Sequence, residues 1–293
     1  MINSDYVKLN IKDQPIYILG DLHGAWERLK SEIKSKDITD CVFVICGDIG
    51  IGFNHESVEK KKLEEINKFL MLRNITVLAF RGNHDDPKYF NRKIEDPEKI
   101  QDFWYPHLKL VPDYTVLSIN GKNILMIGGA ISIDREKRKH EYKIRLEGFM
   151  NAYPVLTEED AKDIILPSYW EQEVPYLNKD IIAKIKDDGI LITHLLTHTC
   201  PSFCYPKDKK GIETWLKEDP FLENDVNYER SVMDNLYDTM MEYAHPLEEW
   251  VYGHYHKHYQ EDYNGIRFTT LLNTDWSFDT YEITRLDIDE IGL

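Results

Sequence analysis

Three short apolar runs near the start of the chain constrain the fold more than any other feature. They are Ile16–Leu19, Val42–Ile45 and Ile75–Phe80, and each is almost continuously apolar. Strands that are buried on both faces have this pattern. Apolar residues recur at helical spacing from Trp26 to Ile33 and again between about Val58 and Leu72. Strands that alternate with helices at short spacing predict βαβ units and a partly parallel sheet.

Two Asn-Gly pairs farther along the chain predict β-hairpins. Asn120-Gly121 and Asn264-Gly265 each separate two strand-like segments, and both residue types tolerate the positive φ that a two-residue turn requires. Antiparallel pairs therefore join the parallel ones, which indicates the α/β (α+β) class with a mixed sheet or two packed sheets. The paired strands are predicted at Thr115–Ile119 with Asn123–Ile127 and at Tyr259–Tyr263 with Ile266–Leu271.

We predict a single domain over residues 1–293, with two insertions. The insertions, at about 132–178 and 201–246, have no strand pattern, and each follows a polar motif. Between them we predict a helix at Asp180–Lys186 and a strand at Ile190–Ile192. Long segments of this kind commonly form walls or lids over a functional cleft.

Composition and charge exclude several classes of protein. The chain has 36 basic and 52 acidic residues, for a net charge of −16, so broad electrostatic binding of nucleic acid is disfavoured. No apolar run approaches the roughly 20 residues of a membrane span. Without a visible signal peptide we expect an intracellular, cytoplasmic protein. Four cysteines are predicted to be free thiols, because their spacing fits neither a zinc site nor a disulfide framework: Cys41, Cys46, Cys200 and Cys204.

The apolar runs at the start of the chain each end in a polar motif. Asp21 and His23 follow the first run and Asp48 follows the second. Alternation in an extended segment would point Asp21 and His23 to the same side, so that both reach one metal. Asn83, His84 and Asp85 follow the third run. The side chains of three adjacent residues cannot all point in the same direction, so these three are expected to have different roles. Taken singly, each motif also fits a polar turn or a helix cap.

Histidines later in the chain continue this pattern. His198 is a better candidate ligand than His194. His194 lies so close to the predicted strand that it is expected to be a buried core histidine. His254 and His256 follow another apolar run. In an extended segment, two histidines at this spacing are able to share one pocket or to serve two neighbouring metals, whereas His258 fits a solvated edge. The carboxyl ends of strands are where open α/β sheets place their sites. Carboxylate, imidazole and amide ligands without a thiolate predict a site for manganese, iron or zinc.

At these residues the sequence resembles the calcineurin-like metallophosphoesterase superfamily. Its motifs D-x-H, G-D, G-N-H-D/E, a lone histidine and G-H-x-H occur in order from Asp21 to His256. The resemblance implies two packed mixed β-sheets flanked by helices, a pair of divalent metal ions, and His84 as the catalytic histidine. Uncharacterised bacterial and phage members share the sequences at 128–134 and 196–201. The implied ligands are Asp21, His23, Asp48 and His256 for one metal and Asp48, Asn83, His198 and His254 for the other, with Asp48 bridging.

One motif departs from better-known members. Phosphoprotein phosphatases and dinucleoside tetraphosphatases of this superfamily have G-D-x-V-D-R-G, whereas residues 47–53 here read Gly-Asp-Ile-Gly-Ile-Gly-Phe. The aspartate that orients the catalytic histidine and the arginine that grips phosphate are both missing. Asp85 is therefore expected to take the orienting role. Arg135, Arg138 or Arg145 is a candidate for binding phosphate, although a solvated charged face also suits each of them.

The resemblance implies a phosphoesterase acting on a small phosphorylated substrate, a phosphomonoester or small phosphodiester. A hydroxide bridging two metals would attack phosphorus, and His84 would protonate the leaving oxygen. Two alternatives remain. A nuclease acting on single-stranded DNA or RNA shares these motifs, although the acidic composition disfavours it. An inactive binding scaffold, like the retromer subunit of the superfamily, is expected to lack ligands that this chain retains.

Overall fold

The computed structural model describes residues 5–90, 104–206 and 212–272 and the backbone of residues 284–285. Six α-helices and twelve strands occur in these ranges, together with short 3-10 turns. The helices are α1 Trp26–Ser35, α2 Glu56–Met71, α3 Arg135–Ala152, α4 Glu158–Ile164, α5 Lys179–Asp187 and α6 Leu222–Glu242. The strands are β1 Val7–Asn10, β2 Ile16–Leu19, β3 Cys41–Cys46, β4 Ile75–Phe80, β5 Leu108–Leu110, β6 Thr115–Ile119, β7 Lys122–Ile127, β8 His194–Thr197, β9 Glu249–Tyr252, β10 Tyr259–Tyr263, β11 Ile266–Thr270 and β12 Thr284–Arg285.

The strands form two mixed sheets. The first has the order β1-β6-β7-β8-β9-β11-β10 and the second the order β12-β2-β3-β4-β5. In the second sheet β2 to β5 are parallel and β12 is antiparallel to β2. The first sheet combines parallel pairs with the antiparallel pairs β6–β7 and β10–β11. This architecture confirms the prediction of two packed mixed sheets with flanking helices.

Burial on both faces explains why the early strands are continuously apolar. In β3, Val42 and Val44 belong to the core between the two sheets. Phe43 and Ile45 belong to a second core, against the apolar faces of α1 and α2. All four side chains are fully buried, and burying each stabilises the fold by about 1.5–3 kcal/mol. The polar residues that follow these strands are therefore held at a rigid edge.

Both predicted hairpins are present. Asn120 and Gly121 have φ values of 49° and 71°, and Asn264 and Gly265 have φ values of 51° and 79°. These left-handed conformations fit a two-residue hairpin turn. The turns join β6 to β7 and β10 to β11 in antiparallel register.

The strand predicted at Ile190–Ile192 is wrong in position, since β8 begins at His194. Ile190 and Ile192 are buried but lie before the strand and pack in the core beside α5 and α6, so their apolar pattern reflects packing rather than strand pairing. His194 is buried, and burial lowers the pKa of its imidazole to about 4. In the described part of the chain, no helix is long and apolar enough to span a membrane. All four cysteines are buried free thiols.

The two segments predicted as insertions contact each other. Arg135, at the start of α3, forms ion pairs with Asp219 and Asp225 near the start of α6. Ile131, Leu222 and Val226 form a small buried apolar cluster across the same contact. Glu229 of α6 also accepts hydrogen bonds from Ile131 and from Thr199, the residue after His198, so the two segments pack together beside one of the polar motifs.

Candidate metal centre and active site

All seven candidate ligands lie together where strands of both sheets end. Asp21, Asp48 and Asn83 follow β2, β3 and β4 of one sheet. His198 and His254 follow β8 and β9 of the other sheet. The packing of the two sheets brings these loops together, so residues distant in sequence face one another.

One group of side chains surrounds Asp21. Nε2 of His256 lies 2.8 Å from Oδ2 of Asp21, and Nε2 of His23 lies 3.7 Å from the same oxygen. The two Nε2 atoms of His23 and His256 are 3.2 Å apart. Oδ2 of Asp48 approaches this group, at 3.9 Å from Nε2 of His23. The nitrogen and oxygen atoms thus converge on one small space.

A second group surrounds the side-chain oxygen of Asn83. Oδ1 of Asn83 lies 2.9 Å from Nε2 of His198 and 3.0 Å from Nδ1 of His254. The other carboxylate oxygen of Asp48, Oδ1, lies 3.4 Å from Nε2 of His198. Asp48 therefore stands between the two groups and directs one oxygen towards each of them.

The donor atoms fit divalent cations. Potential ligand atoms of Asp21, His23 and His256 lie within 4.8 Å of one another, and so do those of Asp21, Asp48 and His198. Oδ2 of Asp48 is buried, and among the described residues no hydrogen-bond donor reaches it. Carboxylate, amide and imidazole donors suit manganese, iron or zinc.

The buried carboxylates require positive charge nearby. Asp21 and Asp48 are each 1% exposed. Burial opposes their ionisation, yet the neighbouring His198 holds the pKa of both carboxyls below the ordinary range. Burial likewise opposes a charge on His198, but the two carboxylates raise the pKa of its imidazole to about 10. Nδ1 of His198 lies 2.7 Å from the carbonyl oxygen of Cys46, where it donates a proton, and a bound cation would take the place of the second proton, on Nε2.

A sequence model of the family described as calcineurin-like phosphoesterase matches residues 14–258. The chain belongs to the calcineurin-like phosphoesterase family. Membership confirms the resemblance seen in the sequence, and it makes the protein a phosphoric ester hydrolase. No curated protein matches the chain.

Among solved structures, this phosphoesterase is similar to the phosphopantetheinyl hydrolase PptH from Mycobacterium tuberculosis. The sequence identity is 15%, the alignment covers 88% of this chain and 89% of that chain, and the TM-score is 0.38. A likeness at this level carries no argument about the substrate of the present phosphoesterase.

The backbone of the phosphoesterase site differs from the extended segments predicted for its D-x-H and H-x-H motifs. His23, His254 and His256 have φ values of 45°, 66° and 52°, and Asp48 has a φ value of 48°. Left-handed conformations of non-glycine residues cost about 1–3 kcal/mol each and persist where surrounding contacts determine them. One such contact is the hydrogen bond of 2.9 Å from the backbone N–H of His254 to Oδ1 of Asp21. Tight turns, and not strand alternation, therefore bring these side chains together.

Two glycines allow the close approach of backbone to the carboxylates. A Cβ atom at Gly82 would collide with Oδ1 and the backbone nitrogen of Asp48. A Cβ atom at Gly253 would likewise collide with Oδ1 of Asp21. The glycines of these motifs thus make room for the candidate ligands.

The carboxylate of Asp85 fastens two loops of the site together. It accepts hydrogen bonds from the backbone N–H groups of Ile49, Gly50, Ile51 and Gly82, at 2.8–3.2 Å. Burial, together with the charge of Asp48, raises the pKa of Asp85 to about 6. The orienting role expected of Asp85 does not agree with these contacts, because its oxygens point to backbone amides beneath the loops. It holds the loop that carries Asp48 against the loop that carries His84.

Arg81 has no predicted role, yet its side chain forms an ion pair and several hydrogen bonds near the site. Its guanidinium pairs with Asp113 at 2.9 Å. It also donates to the carbonyl oxygens of Gln172, Glu173 and Val174. Arg81 thus ties residues 172–174 of the first insertion to the end of β4. Sequence reasoning misses this role because the partners lie 32 and more than 90 residues away.

Two further residues missed by sequence reasoning fix the side chain of Asn83. Nδ2 of Asn83 donates to Oγ of Ser132 at 2.9 Å, and Ser132 donates to Oε2 of Glu173 at 2.5 Å. The backbone N–H of Ser132 donates to the other carboxylate oxygen at 2.8 Å. Burial raises the pKa of Glu173 to about 8. Because Nδ2 is held by Ser132, Oδ1 of Asn83 faces His198 and His254.

Replacing Ser132 with alanine is expected to weaken metal binding about 10- to 100-fold, the usual effect of losing a hydrogen bond that orients a ligand. Titration calorimetry of the metal-free protein with Mn²⁺ or Zn²⁺ measures this change. Ser118→Ala is the matched control, since Ser118 also bonds an asparagine side chain, that of Asn123 at 2.7 Å, on a hairpin. Equal affinities for the two variants would contradict the role given to Ser132.

His84 lies in the wall of a pocket beside the candidate metal centre. The pocket has a volume of about 350 Å³ and is also lined by His23 and Arg138. Burial lowers the pKa of His84, and the charge of Arg138 acts in the same direction, against the opposing effect of Asp48. The other two candidate arginines are engaged elsewhere: Arg135 pairs with acidic residues of the second insertion, and Arg145 donates to the carbonyl of Leu166.

Proposed function

We propose that this phosphoesterase hydrolyses a small phosphorylated substrate, a phosphomonoester or a small phosphodiester, with a pair of divalent cations. The observation that carries the proposal is the position of Asp48, whose two oxygens face two separate groups of ligand atoms. A carboxylate in that place suits a bridge between two cations. One cation would be held by Asp21, His23, Asp48 and His256, and the other by Asp48, Asn83, His198 and His254.

Bound divalent cations supply positive charge for the phosphoryl oxygens and activate water as a nucleophile. The side chains of the protein position the substrate and supply the proton for the leaving oxygen. His84 faces the pocket, and its ring centroid is 5.5 Å from that of His23. We assign to His84 the transfer of a proton to the leaving oxygen. A positioned histidine is the side chain most often used for such proton transfer.

The charge of the protein favours small substrates over polynucleotides. A net charge of −16 repels a phosphate backbone. Small phosphate esters carry few charges, so the general repulsion is weak, and the basic side chains of the pocket attract them. We therefore do not favour a nuclease.

A metal-reconstitution experiment tests the proposed function. The purified protein is stripped with a chelator, and turnover of p-nitrophenyl phosphate and bis-p-nitrophenyl phosphate is measured before and after adding Mn²⁺, Fe²⁺ or Zn²⁺. We expect no turnover of either ester without metal and recovery of turnover of at least one with metal. A protein that binds two metal ions and hydrolyses neither ester would contradict the proposal.

A further inference from the structure

Two basic side chains from different helices line the pocket beside His84. Lys62 lies on α2 and Arg138 on α3. The rest of the lining includes Phe53 and Asn54. The chain as a whole has a net charge of −16, so a pocket lined by two basic side chains differs in charge from most of the protein.

The charge of Lys62 is available to a ligand. Lys62 is half-buried, and its Nζ lies beside Gly24 in the loop that carries His23, 3.6 Å from the place of a Cβ on that glycine. Within the described ranges of the chain, no carboxylate pairs with Lys62. An ammonium held in a pocket without a carboxylate favours an anionic ligand.

Arg138 is held in place by two contacts that do not use all of its hydrogen-bond donors. Its Nε forms an ion pair with the carboxylate of Asp134 at 2.8 Å, and its Nη1 donates to the carbonyl of Ser168 at 3.2 Å. These two bonds fix the plane of the guanidinium. The donors of Nη2 are not used in either bond, and a fixed guanidinium loses little entropy when it binds a phosphate oxygen.

The loop of residues 52–54, which lines part of the pocket, is held by hydrogen bonds and carries an exposed aromatic ring. One carboxylate oxygen of Glu59 accepts hydrogen bonds from the backbone N–H groups of Gly52 and Asn54 and from the amide of Asn54, at 3.1–3.2 Å. Phe53, between them, is 40% exposed and contacts Trp170 edge-on, with ring centroids 5.4 Å apart. An exposed ring in a pocket suits the flat organic part of a ligand, such as a nucleobase.

The candidate metal centre already provides positive charge for the phosphoryl group that is hydrolysed. The ammonium of Lys62 and the Nη2 donors of Arg138 lie outside both groups of candidate ligands, so they offer contacts beyond those that the phosphoryl group of a simple monoester needs. We infer that Lys62 and Arg138 form a subsite for a second phosphate carried by the leaving group, so that the preferred substrates are organic bisphosphates. This inference rests on the proposed phosphoesterase function. It adds a specificity that the family motifs do not contain.

The test compares adenosine 3′,5′-bisphosphate with adenosine 5′-monophosphate and adenosine 3′-monophosphate, using metal-loaded protein. We expect kcat/KM to be higher for the bisphosphate. A charge-assisted hydrogen bond corresponds to a factor of about 10 to 100 in affinity. Lys62→Met and Arg138→Met are each expected to lower the ratio of bisphosphate to monophosphate kcat/KM by about tenfold or more. Lys62→Arg, which keeps the charge, is expected to retain most of that ratio.

Matched controls come from the neighbouring positions. Lys61→Met on α2 and Lys137→Met on α3 remove an exposed positive charge next to each residue and are expected to leave the ratio unchanged. If the pocket variants lower kcat/KM equally for bisphosphate and monophosphate, the two residues bind the scissile group and the inference is wrong. The same conclusion follows if the wild-type protein shows no preference.

Calorimetric binding separates this inference from the proposed function. Metal-loaded protein that turns over neither these nucleotides nor the two p-nitrophenyl esters, but binds the bisphosphate more tightly than the monophosphates, with loss of that difference in Lys62→Met, would support the subsite and contradict the hydrolytic proposal. Turnover without any difference in affinity or kcat/KM between the two classes would contradict the subsite alone.

Discussion

Asp48→Asn is expected to lower turnover of p-nitrophenyl phosphate by more than about a thousandfold and to reduce the bound metal below two ions per chain. The reason is geometric, since the two oxygens of Asp48 approach both groups of ligand atoms, at 3.4 Å from His198 and 3.9 Å from His23. Asparagine keeps the shape of the side chain and its bond from the backbone N–H of His84. It removes the negative charge and one of the two oxygens. Metal analysis together with steady-state kinetics measures both effects.

Asp40→Asn is the matched control for Asp48→Asn. Asp40 has a similar left-handed backbone, with a φ value of 52°, and it is exposed immediately before β3. Its substitution therefore removes a negative charge from a residue with left-handed backbone, as Asp48→Asn does, but away from the site. We expect unchanged metal content and turnover. An Asp48→Asn protein with two bound metal ions and normal turnover would show that the bridging assignment is wrong.

His84→Ala is expected to keep its metal and to lose turnover of an ester with a poor leaving group, such as phenyl phosphate, by about 10²- to 10⁴-fold. The side chain of His84 belongs to neither group of candidate ligands, whereas its backbone N–H, which alanine retains, donates to Asp48 at 2.7 Å. Removing the imidazole therefore removes the proton donor without moving the carboxylate. Metal content and kcat of the variant are measured side by side.

The leaving group separates a proton donor from a structural residue. p-Nitrophenolate departs readily without a proton, so His84→Ala is expected to lose much less turnover on p-nitrophenyl phosphate than on phenyl phosphate. Equal losses on the two esters would argue against proton transfer by His84, and full activity on phenyl phosphate would exclude any catalytic role. His140→Ala, at an exposed position on α3, controls for loss of a histidine elsewhere and should behave as wild type.

Much of the fold was predictable because its signals are local. The apolar run at Ile75–Phe80 and the Asn120-Gly121 turn both depend on interactions within a few residues, and both are found as predicted. The strand predicted at Ile190–Ile192 is wrong because a buried apolar run forms equally well beside a strand as within one. The extended geometry predicted around His23 and His256 is wrong for a related reason. Side-chain alternation describes strands, and these residues lie in left-handed turns that contacts from other loops hold in place.

The sequence by itself determined the kind of site: carboxylate, amide and imidazole groups at the ends of apolar strands, in the motif order of the phosphoesterase family. Those features are encoded locally, in residue type and spacing. Only the tertiary structure decided how the groups are arranged. It directs the oxygens of Asp48 to two sets of candidate ligands, places Asp85 on backbone amides, and joins Asn83 to Ser132 across 49 residues of chain. It also brings Lys62 and Arg138 into one pocket. These contacts depend on the packing of two sheets and two long segments, and no local pattern specifies which distant side chains such packing brings within a few ångströms.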